Sequence, residues 1–112
     1  MISLRLYGPS GYVDTEALVD SGSDDTIFDC ELADAVGIDW RSGARYSITG
    51  INGGQLPVYF KGGRYEIGGH RCPGDIGFAE LPFFKAILGQ TGFFDHALVM
   101  LDQGNNRIEV RF

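Results

Sequence analysis

One stretch of this chain concentrates side chains that could do chemistry: Leu18-Val19-Asp20-Ser21-Gly22-Ser23-Asp24-Asp25-Thr26. It sets a carboxylate on a tight glycine turn directly after an apolar run, so Asp20 is held by a strand and partly shielded from water. A carboxylate so placed can act as a general acid or base. Around it lie two hydroxyls (Ser21, Ser23), a backbone free to approach closely (Gly22) and two further acids (Asp24, Asp25). Asp, Ser and Gly are also the commonest turn formers, and Asp20-Ser21-Gly22 alone would as readily mark a plain turn. Other catalytic patterns are absent: there is no Gly-x-Ser-x-Gly, His-Glu-x-x-His or Gly-x-Gly-x-x-Gly. His70 and Cys72 lack the further ligands a zinc site needs, and neither a metal nor an organic cofactor is expected. His70 and His96 read as surface or turn residues, and Trp40 as a lid on the core.

The elements that must position the Asp20 turn are mostly short strands. Ile2 to Tyr7 alternates apolar and polar residues, the period of a half-buried strand. Gly8-Pro9-Ser10-Gly11 turns the chain, and Tyr12 to Val19 returns as a second strand with Val13, Thr15, Ala17 and Val19 on one side, ending at Asp20. Asp29 or Asp25 would cap a short helix over Glu31 to Val36, which Gly37 ends. Two apolar-aromatic runs, Tyr46 to Ile48 and Leu56 to Phe60, flank a glycine-rich tip at Thr49 to Gln55 and predict a long hairpin. Strands follow at Arg64 to Ile67, His70 to Phe78 and Ala86 to Gly89. A second short helix is expected at Phe93 to His96, then a hairpin from Ala97 to Leu101 and Arg107 to Phe112.

Three features together resemble the retroviral-type aspartic proteases, the retropepsins. Their signature is apolar-apolar-Asp-Thr/Ser-Gly-Ala/Ser, often continued by Asp-Asp-Thr, and Leu18 to Thr26 follows it through all nine positions. The hairpin tip Gly50-Ile51-Asn52-Gly53-Gly54 looks like the family's flap, and Ile87-Leu88-Gly89 like the strand that threads behind its catalytic loop. The resemblance covers nearly the whole chain and implies an all-β fold: a small, closed, barrel-like half of an acid protease with one or two short helices and a flap, forming a homodimer. It implies one retropepsin-like domain over 1–112, closer to cellular and bacterial retropepsin-like domains than to viral ones. By the same resemblance Asp20 is the catalytic acid and base, supported by Ser21 and Gly22. Ser23, Asp24, Asp25, Gly50, Ile51, Asn52, Gly53 and Ile87 would face the substrate.

The chemistry explains the need for two chains. Aspartic proteases use two carboxylates sharing one proton, one as base on a water and one as donor to the scissile carbonyl. Each chain here supplies one such motif, and a two-fold dimer supplies the second. Ser23 is expected to hydrogen-bond the outer oxygen of Asp20 and favour its ionised form. Ile51 and Ile87 are read as pocket residues, while Ile27 and Phe84 fit pocket or core equally. The sequence departs from the viral pattern at Gln90, where the family usually has a basic residue that ties the catalytic loops together. The alternative function is a catalytically weak retropepsin-like dimerisation or peptide-binding module.

Composition fits this reading. A length of 112 residues suits one domain, and 17 glycines, roughly twice the usual share, point to many tight turns. A net charge of −6 argues against nucleic acid as a partner. No apolar run approaches the ~18 residues of a membrane span, so no membrane partner is expected. Two cysteines and no signal-like N-terminus suggest a reducing, cytoplasmic setting. The expected partner beyond a second copy is an extended peptide or protein substrate.

Overall fold

The N-terminal alternation becomes β1 (Ile2–Gly8), with Leu4 and Leu6 buried and Ser3 exposed, in a computed structural model that describes residues 1–49 and 54–112. The chain turns at Pro9 and Ser10 into β2 (Gly11–Val19), paired with β1 from Gly8↔Gly11 to Ile2↔Ala17. Gly11 adopts φ +137°, which a side chain would resist. The far end of β2 runs parallel to β7 (Ala86–Leu88), and β7 is antiparallel to β3 (Ile27–Asp29). Next comes β6 (His70–Ala79), parallel to β3, and then β5 (Gln55–Ile67), antiparallel to β6. The ring closes where β5 meets β1 through Leu6↔Tyr65 and its two neighbours.

These six strands form a closed, all-β barrel as expected. Closure removes the open edges that would otherwise pair with other chains. Outside the ring, β4 (Ala44–Thr49) pairs with the first half of β5. The expected hairpin is present as that pair, and the residues between its strands, Gly50 to Gly53, lie outside the described residues. At the C-terminus, β8 (Leu98–Asp102) and β9 (Arg107–Arg111) make a separate two-stranded hairpin. Among the described residues no helix is long and apolar enough to cross a membrane.

Two expectations about elements need correction. Leu56 to Phe60 and Arg64 to Ile67 are one continuous strand of 13 residues, because Lys61-Gly62-Gly63 does not break it. Glycine at 63 serves close approach instead, since a Cβ there would lie 2.7 Å from Ile76 Cδ1. Phe93 to His96 forms a turn rather than a helix. Asp95 Oδ1 accepts from Gly92 N–H, whose φ of +93° sets the chain on a non-helical course, and Phe93 is carried into the core.

The helix at 31–36 is present as α1 (Cys30–Ala35), and Gly37 follows it with φ +75°. Neither Asp25 nor Asp29 caps it by side chain. The buried Asp29 carboxylate instead accepts from Leu81 N–H at 3.0 Å and meets Lys85 Nζ at 3.4 Å, tying the loop after β6 to β3. Trp40, in a 3-10 turn (Trp40–Ser42), is buried in the core as its lid and donates from Nε1 to Asp34 Oδ1. Phe28, Tyr65, Phe78 and Phe93 are fully buried together. Each is worth roughly 2 kcal/mol against exposure, which is how a strand as short as β3 holds its place. A smaller cluster of Ile27, Val58 and Ala79 packs with Ile48 of β4 and Leu56 of β5.

Candidate functional site

Asp20 is the first residue beyond β2, and its N–H donates to Leu88 O at 2.9 Å, so the turn starts from a backbone already locked to β7. The chain reverses at once, with Ser23 N–H donating to Asp20 O at 3.1 Å. Gly22 N–H donates to Asp20 Oδ1 at 3.0 Å, which orients the carboxylate. A Cβ on residue 22 would lie 3.2 Å from that same oxygen, tighter than ordinary contact. Asp20 is half-buried, while Ser21 and Gly22 are exposed.

The segment after β7 laces this turn from behind. Gln90 N–H donates to Ser23 O and Thr91 N–H to Asp24 O, both at 2.9 Å, and Thr26 N–H donates back to Thr91 O. Buried Thr26 accepts from Gly89 N–H through Oγ1 at 3.1 Å. The Gln90 side chain, expected to leave the loop without its usual support, donates from Nε2 to Ser21 O at 2.8 Å. A neutral amide bond thus stands where a basic residue was looked for.

Ser23 differs from expectation. Its hydroxyl donates to Asp25 O at 2.8 Å, spending its one proton inside the turn, and is not bonded to Asp20. Asp25 is half-buried, and burial first, then the neighbouring Asp24 charge, push its carboxyl above the ordinary range. Among the described residues no hydrogen bond or ion pair reaches the carboxylate of Asp24 or Asp25.

These residues open onto a cleft of about 670 Å³. Asp20, Gly22, Ser23, Asp24 and Asp25 form its polar floor. Half-buried Ile87 lines it from β7, and Ile48 and Leu56 line it from β4 and β5. Ile27 and Phe84 reach it too, although Ile27 is 6% exposed and belongs equally to the small apolar cluster. The sequence reading missed Phe83, which is 71% exposed at the cleft wall. Its signal was a pair of aromatics just after Pro82, in a loop with little else to bury. Gly50, Ile51, Asn52 and Gly53 lie outside the described residues.

A lone carboxylate on such a floor can take or give one proton. Activating a water and protonating a carbonyl together needs a second acid beside it.

Solved structures resemble this arrangement over most of its length. The retroviral protease-like domain of Ddi1 from Leishmania major superposes with a TM-score of 0.67 and 18% identity, over 98% of this chain and 87% of that one. The fold is that of the retroviral protease-like domains. EIAV protease, solved in complex with the inhibitor HBY-793, matches the retroviral-protease fold of this chain with a TM-score of 0.59 and 18% identity, over 84% of this chain and 86% of its own. No protein-family model and no curated protein matches the sequence. The likeness at these identities is one of fold, and Asp20 stands on its own geometry.

Proposed function

We propose that the chain is an aspartic endopeptidase that works as a homodimer, one catalytic unit spanning 1–112 of each copy. The observation that carries this reading is the Asp20 carboxylate, oriented by Gly22 N–H on a laced turn at the floor of a peptide-sized cleft. In a two-fold dimer the two Asp20 carboxylates meet across the axis and share one proton, because like charges so close do not both ionise cheaply. The ionised Asp20 takes a proton from water, whose oxygen bonds to the scissile carbonyl carbon. The protonated Asp20 gives its proton to the carbonyl oxygen. The resulting diol collapses, the C–N bond breaks, and a proton passes to the leaving nitrogen.

Ser21 braces the two turns across the axis, and Gly22 lets substrate backbone approach. Ser23, Asp24 and Asp25 line the path of an extended peptide. Ile87 contacts a substrate side chain, and Gly50, Ile51, Asn52 and Gly53 close over the peptide as a flap. Support for pairing comes from the C-terminal hairpin. Val99 and Val110 of that hairpin pack on the core, while Leu98 and Leu101, about 60% exposed, and Met100, 47% exposed, remain bare for a second copy to cover.

The test is Asp20→Asn. Wild type is expected to cut a denatured protein mixture and sediment as a dimer, and the variant to keep mass and melting temperature with no cleavage. Binding of a statine peptidomimetic by both proteins, with cleavage by neither, would make the chain a peptide-binding module instead. A strict monomer that cleaves would overturn the two-fold reading.

A further inference from the structure

Gln90 reaches the Asp20 turn through both its side chain and its backbone. Its amide Nε2 donates to Ser21 O, its backbone N–H donates to Ser23 O, and its carbonyl receives Asp95 N–H at 3.0 Å. Gly89, just before it, is buried under the turn, and Phe94 N–H donates to Gly89 O. Gln90 is therefore fixed on both sides by backbone bonds while its side chain spans to the carbonyl between Asp20 and Gly22. That carbonyl belongs to the peptide unit whose N–H is the Gly22 donor to Asp20 Oδ1. Rotating the unit breaks both bonds together.

We propose that Gln90 is a positioning residue: by holding the Ser21–Gly22 peptide plane it aims the Gly22 N–H at Asp20 and so sets the carboxylate's orientation. The proposal rests on the proteolytic reading for its effect on rate, and on geometry alone for its effect on the turn. The clamp is neutral. An amide donates at every pH and is little screened by salt, unlike an ion pair.

This makes Gln90→Glu the informative change. An ionised glutamate presents only acceptors to Ser21 O, whereas a protonated one regains an O–H donor, with a crossover near its ordinary pKa of about 4.3. The hydrolysis rate of Gln90→Glu relative to wild type should be about one-tenth near neutrality, the loss expected for one hydrogen bond in the transition state, and should recover toward unity in acid. Gln90→Ala should stay near one-tenth at every pH, and Gln90→Lys, which keeps a donor, should lose less than Gln90→Ala. In the absence of substrate, amide exchange at Gly22 should be faster than wild type in Gln90→Glu above about pH 5 and equal to it in acid.

A relative rate for Gln90→Glu that is flat with pH, or Gly22 exchange unchanged in both Gln90→Glu and Gln90→Ala, would overturn the clamp. If wild type hydrolyses nothing, the proteolytic reading fails and Gly22 exchange alone decides the role of Gln90.

Discussion

Gly89 passes beneath Asp25 so closely that a Cβ at residue 89 would lie 2.2 Å from the Asp25 carbonyl oxygen and 2.6 Å from that of Ser23. Both contacts are with backbone, so neither can yield by a rotamer change. Gly89→Ala must lift the whole Asp20 turn away from β7 or unseat β7 from between β2 and β3. The expected cost is roughly 3 kcal/mol, at the upper end for an overpacked site. Hydrolysis should fall below detection, and melting of the variant against wild type checks the stability.

Thr26 and Gly89 are joined by a bond that has no solvent to replace it. Thr26→Val keeps the shape and removes the acceptor, leaving the Gly89 N–H buried without a partner. A loss of about 1–3 kcal/mol is expected. Thr26→Ser, which retains the oxygen, should lose clearly less in chemical denaturation. Equal losses in the two variants would show that the methyl matters as much as the bond.

Asp25 gives the fold a pH dependence of definite sign. Its carboxyl is held above its usual range by burial and by Asp24, so over the acid window between its unfolded and folded values the native state binds more protons than the unfolded one. Stability from this group is therefore lost as pH rises through that window. Asp25→Asn should melt higher than wild type near neutral pH, with the gap closing in acid. The comparison belongs at low protein concentration, where pairing of chains contributes least.

Cys30 and Cys72 are both buried and unpaired, and burial raises both thiols above their ordinary range. The thiolate is the reactive form. A maleimide or disulfide reagent should label neither in the native protein and both in denaturant. Rapid native labelling at one position would locate local opening at α1 or β6.

The Asp20 turn was legible in the sequence because its chemistry is local: nine consecutive residues carry strand end, acid and glycine together. The alternation of β1 and β2 was legible for the same reason. Closure of the ring was not written in any local pattern, since Leu6↔Tyr65 joins residues far apart and depends on the sum of the other pairings. The chain runs on as β5 where two strands were expected, and at residue 63 glycine makes room for Ile76. The Ser23 hydroxyl bonds the Asp25 carbonyl, a backbone acceptor that residue types alone do not announce. Gln90 looked like a loss because its charge was counted rather than its donor.

The placement of β7 between β2 and β3 also dictates the order in which the molecule can be built. β2 ends at residue 19 and β3 begins at 27, yet the strand that separates them arrives only at 86–88. Contacts of such sequence separation form late and slowly. A nascent chain emerging from the ribosome therefore exposes its acidic turn long before anything holds that turn in shape, and a fragment cut short of β7 carries the motif without its scaffold.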